Sequence, residues 1–107
     1  MTDVWERCRF MHIISIKMLR EFWETYSDSE QALKAWFHEV KSAGWENSAE
    51  LKDKYGSASI INAERVVFNV CGNKYRLVVR INYKSKTVFI RFVGTHKQYD
   101  KIDAETQ

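Results

Sequence analysis

Asn73 to Asp100 reads NKYRLVVRINYKSKTVFIRFVGTHKQYD, and its alternation predicts two adjacent strands that anchor the fold. Successive side chains on a pleated strand leave opposite faces. Tyr75, Leu77, Val79, Ile81 and Tyr83 therefore line one side, and Lys74, Arg76, Val78, Arg80 and Asn82 line the other. The first set is core; the second is largely a row of cations. Lys86 to Val93 reads as the following strand and adds Arg91, and after the Gly94-Thr95 break the chain delivers His96, Lys97 and Tyr99. A cationic sheet face beside an imidazole and a phenol is suited to binding and cutting a phosphodiester.

Upstream, Arg65 to Val70 is a third strand-like run, joined to the first by the turn Cys71-Gly72-Asn73, while Lys84-Ser85-Lys86 turns the chain into the last strand. His12 to Ile14 is apolar and β-branched enough for a short strand, with Ser15 as the expected cap of the first helix. The apolar positions Ile16, Leu19, Phe22, Trp23 and Tyr26 recur at spacings of three and four, which predicts that helix from Ile16 to about Tyr26 with one buried stripe. Ser27-Asp28-Ser29-Glu30 has the capping-box spacing and predicts a second helix from near Asp28, carrying Leu33, Trp36, Phe37 and Val40 and ending at Ala43-Gly44. Asn47 to Glu50 repeats the cap pattern and opens a short third helix that ends at Tyr55-Gly56; the stretch up to Arg65 reads as a loop entering the sheet. The expected class is α+β, with an N-terminal strand and two helices, plus a short third, packed on a small and mainly antiparallel sheet.

With 107 residues, 45% of them hydrophobic and 14% aromatic, the chain suits one compact domain with a single core. Residues 11–107 are assigned to it. Residues 1–10 fit poorly with the rest, and Met11 restarts the chain, so they read as an extension or a start assigned too early. The sequence contains neither an apolar run of membrane-spanning length nor a signal peptide, so a cytoplasmic protein without membrane contact is expected. Cys8 and Cys71 lack metal-like spacing and read as unpaired, reduced thiols. No cofactor or metal is expected: no paired carboxylates stand at a metal-binding spacing, and P-loop, dinucleotide and Ser-His-Asp signatures are missing.

The net charge of +3 conceals an asymmetry. Arg65 to Lys101 holds nine Lys or Arg and one acid, Asp100, whereas Met11 to Glu64 holds six basic residues and nine acidic ones. Such a dipolar split focuses positive potential on one region and favours a polyanionic partner, nucleic acid first.

Two segments are recognisable. Val67-Phe-Asn-Val-Cys-Gly-Asn-Lys-Tyr-Arg-Leu77, followed by Phe92-Val-Gly-Thr-His-Lys-Gln-Tyr-Asp-Lys-Ile-Asp103, resembles the HigB family of toxins from bacterial type II toxin–antitoxin modules. The opening Met11-His-Ile-Ile-Ser15 is similar to the usual start of such proteins, so the resemblance runs from Met11 to about Asp103. One departure is the turn, where the family often has Gly-Gly-Asn and this chain has Cys71-Gly72-Asn73. The resemblance implies a RelE-like ribonuclease that cuts messenger RNA, usually on the ribosome, and is held inactive by a HigA-type antitoxin. Operator DNA would be met only indirectly, through the antitoxin complex. The antitoxin would either cover the cationic face or hold the toxin off the ribosome by bulk.

Metal-free RNA cleavage needs a group to deprotonate the 2′-hydroxyl, charge to stabilise the phosphorane and a proton for the departing 5′-oxygen. His96 is the natural proton carrier, because an unperturbed imidazole titrates near ~6.5. Arg76, Arg80 and Arg91 are candidates for phosphate, since guanidinium forks match two phosphate oxygens and stay charged. Lys74 and Lys97 can bind or stabilise charge, Asn73 lies beside them in the turn, and Tyr99 can stack on a base or donate its hydroxyl. The catalytic set is thus His96, Arg76, Lys97 and Tyr99, and the RNA-binding set Lys74, Arg80, Arg91 and Asn73. Asp100 can orient His96 or pair with Lys101, while His12 and His38 have no matching cluster and read as structural or solvent-facing. Two other readings stand beside this one: a non-enzymatic, ParE-like toxin that blocks gyrase, and an RNA-binding module without catalysis.

Overall fold

The computed structural model describes residues 11–72 and 74–102; the expectations for residues 1–10, which include Cys8, and for Asn73 and Asp103 lie outside them. In chain order the elements are β1 (His12–Ile14), α1 (Ile16–Thr25), a 3-10 turn (Ser27–Ser29), α2 (Glu30–Lys41), α3 (Ser48–Lys54), β2 (Ser59–Ile60), β3 (Arg65–Val70), β4 (Tyr75–Asn82), β5 (Thr87–Thr95) and α4 (His96–Tyr99). The strands form one mixed sheet in the order β1-β5-β4-β3-β2. β1 runs parallel to β5, and the remaining pairs are antiparallel. This is the α+β arrangement expected from the sequence.

The helical stripes and the inner sheet face meet as the periodicities require. Leu19 and Phe22 of α1 and Leu33, Trp36 and Val40 of α2 are buried against Val66, Phe68 and Val70 of β3, Leu77, Val79 and Ile81 of β4 and Val88 and Ile90 of β5. Burying each such side chain contributes about 1.5–3 kcal/mol before entropy is counted. Phe68 is the centre of the aromatic packing, with Trp36, Tyr55 and Trp45 ring centroids 5.4, 5.1 and 6.5 Å away.

The opposite sheet face departs from expectation. Arg76 and Arg80 do share it, but Val78 between them is fully buried, as is Val67 beside it on β3, so the face has an apolar centre and not a continuous row of cations. β5 also carries a bulge. Val79 faces Ile90 and Val78 faces Phe92, which leaves Arg91 as the extra, unpaired residue.

Both expected caps before the long helices differ. Ser15 has φ 75°, and its side chain makes no cap hydrogen bond. The Ser27 capping box does not form; Ser27–Ser29 is a 3-10 turn, and α2 begins at Glu30. The reason is visible in the partners. Ser29 is fully buried and its hydroxyl donates to the Tyr26 carbonyl (2.7 Å), while Glu30 pairs forward with Lys34 (2.5 Å) and not back toward the cap. The Asn47 cap does form, accepting from the Glu50 amide at 3.1 Å. Two short elements, β2 and α4, do not appear in the sequence pattern, and β5 continues two residues past Val93 to Thr95.

Candidate active site

The end of β5 is built to present His96. Pairing places Arg76 of β4 opposite Gly94 and Tyr75 opposite Thr95. Thr95 is extended and closes a reciprocal cap: its hydroxyl accepts from the Gln98 amide (3.2 Å) and its own amide donates to Gln98 Oε1 (2.9 Å). This cap starts α4 at His96 and fixes the direction in which the imidazole leaves the sheet. Gly94 helps by size, because a Cβ there would lie 2.6 Å from both Gln98 Oε1 and the Phe92 ring.

Arg76 Nη2 lies 2.5 Å from His96 Nε2. A guanidinium only donates, so this contact is a hydrogen bond in the tautomer whose proton sits on Nδ1 and whose Nε2 accepts. The contact sets a guanidinium beside the imidazole at Nε2.

A cleft of about 630 Å³ opens on the helical side of His96, lined by Tyr26, Asp28, Lys74, Thr95, His96 and Lys97 among others. Asp28, in the 3-10 turn, gathers the turn between β3 and β4. Its carboxylate accepts from the Lys74 ammonium and from the Tyr75 hydroxyl (2.5 Å), and its carbonyl from the Cys71 thiol (3.5 Å). The Lys74 bond, then the Tyr75 bond, holds the Asp28 carboxyl below its ordinary value of 3.8. Reciprocally, Asp28 pushes both Lys74 and Tyr75 up, in each case chiefly through the hydrogen bond. The Asp28–Lys74 pair thus stays ionised across the neutral range, lost only as acid protonates Asp28 or strong base deprotonates Lys74.

The expected site residues are not all brought together. His96, Lys97 and Lys74 line the cleft, and Arg76 joins them from the sheet. Lys74 does not stand on the outer face, because Asp28 draws its ammonium toward the helical layer. Tyr99 is half-buried at the end of α4. Arg80 sits four residues along β4 from Arg76, roughly 13 Å at strand spacing, with its guanidinium forked on Glu64 (3.2 and 3.4 Å). Arg91 is exposed in its bulge. Asp100 meets His96 through its backbone amide, which donates to the His96 carbonyl at 2.9 Å. His12 and His38 are exposed and lie outside the cleft. Cys71 is a free thiol. Among the described residues no three His, Cys, Asp or Glu side chains converge as a metal site, and no helix is long and apolar enough to cross a membrane.

Sequence reading misses Asp28, Thr95 and Gln98 as parts of the site. Thr95-His-Lys-Gln98 has the capping-box spacing and is open to detection; Asp28 is 46 residues from Lys74, and nothing local announces that pairing.

A family model described as HigB_toxin, the RelE-like toxic component of a toxin–antitoxin system, matches residues 29–102. The chain belongs to the HigB toxin family. It is 32% identical over 96 residues to the mRNA interferase toxin HigB of Escherichia coli K12, which covers 88% of this chain and 92% of the relative. Shigella flexneri mRNA interferase HigB matches to the same extent. A further mRNA interferase HigB, from Escherichia coli O6:H1, is 26% identical over 94 residues, 86% of this chain and 91% of that protein. The His96 segment and most of the cleft lie inside the family match, and the Tyr26–Asp28 rim lies just before it. The fold is RelE-like, and the chain is the toxic component of a toxin–antitoxin system.

Proposed function

We propose that this HigB-family toxin is an endoribonuclease that cuts messenger RNA without a metal, with His96 as the proton carrier. The observation that carries the reading is the Arg76–His96 pair, whose imidazole lines a cleft together with Lys74 and Lys97. When a phosphate enters, Arg76 turns its fork to the phosphate oxygens and leaves Nε2 open to take the 2′-hydroxyl proton. The 2′-oxygen attacks phosphorus, the bond to the 5′-oxygen breaks, and a 2′,3′-cyclic phosphate and a 5′-hydroxyl end result. Arg76 and Lys97 offset the charge gained by the phosphorane, and Lys74 binds the RNA beside it. Tyr99 or the newly formed imidazolium returns a proton to the departing oxygen. Arg80, Arg91 and Asn73 serve the flanking strand and not the reacting phosphate.

The ribosome supplies the message in an extended, gripped form, and a HigA-type antitoxin silences the toxin in the cytoplasm. Acidic antitoxin residues suit the cations around the cleft. Inducible expression of the wild type beside His96→Ala, with growth followed and message 5′ ends mapped, tests the reading. New ends inside translated frames that vanish in the variant are expected. Growth arrest without such ends, or ends that persist in His96→Ala, would overturn it.

A further inference from the structure

Asp28 is out of place in a site built for RNA. A carboxylate on the rim of a cleft that attracts a polyanion weakens that attraction, yet the turn before β4 is organised around this one residue. Lys74, Tyr75 and Cys71 all donate to it. Stability accounts for the bond from the buried Tyr75, whose hydroxyl needs an acceptor, but is a poor reason for the bond from Lys74. The Lys74 and Asp28 side chains are 61% and 45% exposed, and exposed ion pairs add little to folding because water already solvates both charges.

Lys74 supplies the better reason. Its ammonium ends a flexible stem on a turn, and left to itself it would spread over many rotamers. By alternation along β4 it would share the side of Arg76, away from the helices. Asp28 brings it instead to the helical side of the cleft, while Arg76 approaches His96 from the sheet. Two cations then reach the imidazole's surroundings from two layers of the fold. An ammonium has three N–H donors, so one bond to Asp28 leaves two for a ligand.

We propose that Asp28 is a positioning residue for RNA cleavage, holding the Lys74 ammonium over the His96 cleft where it takes the phosphate next to the one being cut. This rests on the ribonuclease reading above. The chain's own residues make the arrangement: Asp28 comes from the junction of α1 and α2, Lys74 from the turn before β4, and His96 from the end of β5.

The full chain and its Asp28→Asn, Lys74→Met, double and His96→Ala variants separate positioning from strapping. Cleavage is measured on translating messages, binding on a short RNA carrying 2′-O-methyl groups that cannot be cut, and the folded fraction by thermal melting. The Asp28→Asn change removes a negative charge, so binding should hold or tighten while cleavage falls about tenfold, the equivalent of one lost charge-assisted contact in the transition state. Lys74→Met should weaken both, and the double variant should cleave no worse than Lys74→Met alone, because Asp28 acts through Lys74. Asp28→Asn cleaving within about twofold of wild type, or losing cleavage only in step with its folded fraction, would overturn the proposal. So would independent, multiplying losses in the double variant. His96→Ala cleaving like wild type would instead bring down the ribonuclease reading of the site on which the proposal stands.

Discussion

At one end of the β4–β5 pair, Arg76 directs a guanidinium N–H at His96 across the gap left by Gly94; at the other, Arg80 grips Glu64 with two N–H groups, and Lys86 buries its ammonium. The two arginines share a strand and a face. Their neighbours differ. Glu64 precedes β3 and stands within reach of Arg65 as well, at 3.8 Å, so one carboxylate serves both of those cations. Lys86 donates to the carbonyls of Gly44 (3.1 Å) and Trp45 (2.7 Å) and meets Glu46 at 3.2 Å, pinning the hairpin to the segment that follows α2. The contrast teaches that a basic stretch of sequence is not a basic site. Whether a cation serves a ligand or the fold is decided by which acid or carbonyl tertiary structure sets against it.

The largest expected effect is at the first end. Arg76→Ala should reduce message cleavage on the order of 10²-fold, since the phosphate loses its forked partner, while the melting temperature stays close to wild type. Single-turnover cleavage alongside a thermal melt checks this, and an equal loss from Arg80→Ala would break the comparison outright. Next comes Lys86→Met, which leaves the Gly44 and Trp45 carbonyls without their donor and should cost about 1–3 kcal/mol of stability. Cleavage per folded molecule should not change; urea titration with activity corrected for folded fraction tests both halves. Smallest is Arg80→Ala, whose exposed pairing with Glu64 should contribute below about 1 kcal/mol and fade with added salt. A single-turnover defect in Arg80→Ala that persists at saturating RNA would show that Arg80 acts at the reacting phosphate and not only on the flanking strand, and the comparison would need redrawing.

Much of this is open to a reader of the sequence. The strand pair Tyr75–Asn82 and Thr87–Thr95, the stripes of α1 and α2 and the Asn47 cap follow from local periodicity and hydrogen-bonding chemistry, and His96, Arg76, Lys74 and Lys97 come from one continuous stretch. The failures have physical causes. Ser27 and Glu30 have the spacing of a capping box, but Ser27–Ser29 closes a 3-10 turn and Glu30 pairs with Lys34. Val78 looks like a member of a cationic face, but that face has an apolar centre. Arg91 looks like the next cation in line, but a bulge removes it from the ladder.

The chain by itself determined its α+β class, the apolar faces that join helices to sheet, the surplus of cations after Glu64 and the motif that ends in His96. These depend on residue type and on spacings of a few residues, which a linear reading preserves. Tertiary structure alone decided which cations stand at the cleft. Asp28 meets Lys74 across 46 residues, Glu64 meets Arg80 across 16, and Lys86 reaches Gly44 across 42. Coulomb attraction and hydrogen bonding act over a few ångströms of space without regard to distance along the chain, so only folding could choose those partners.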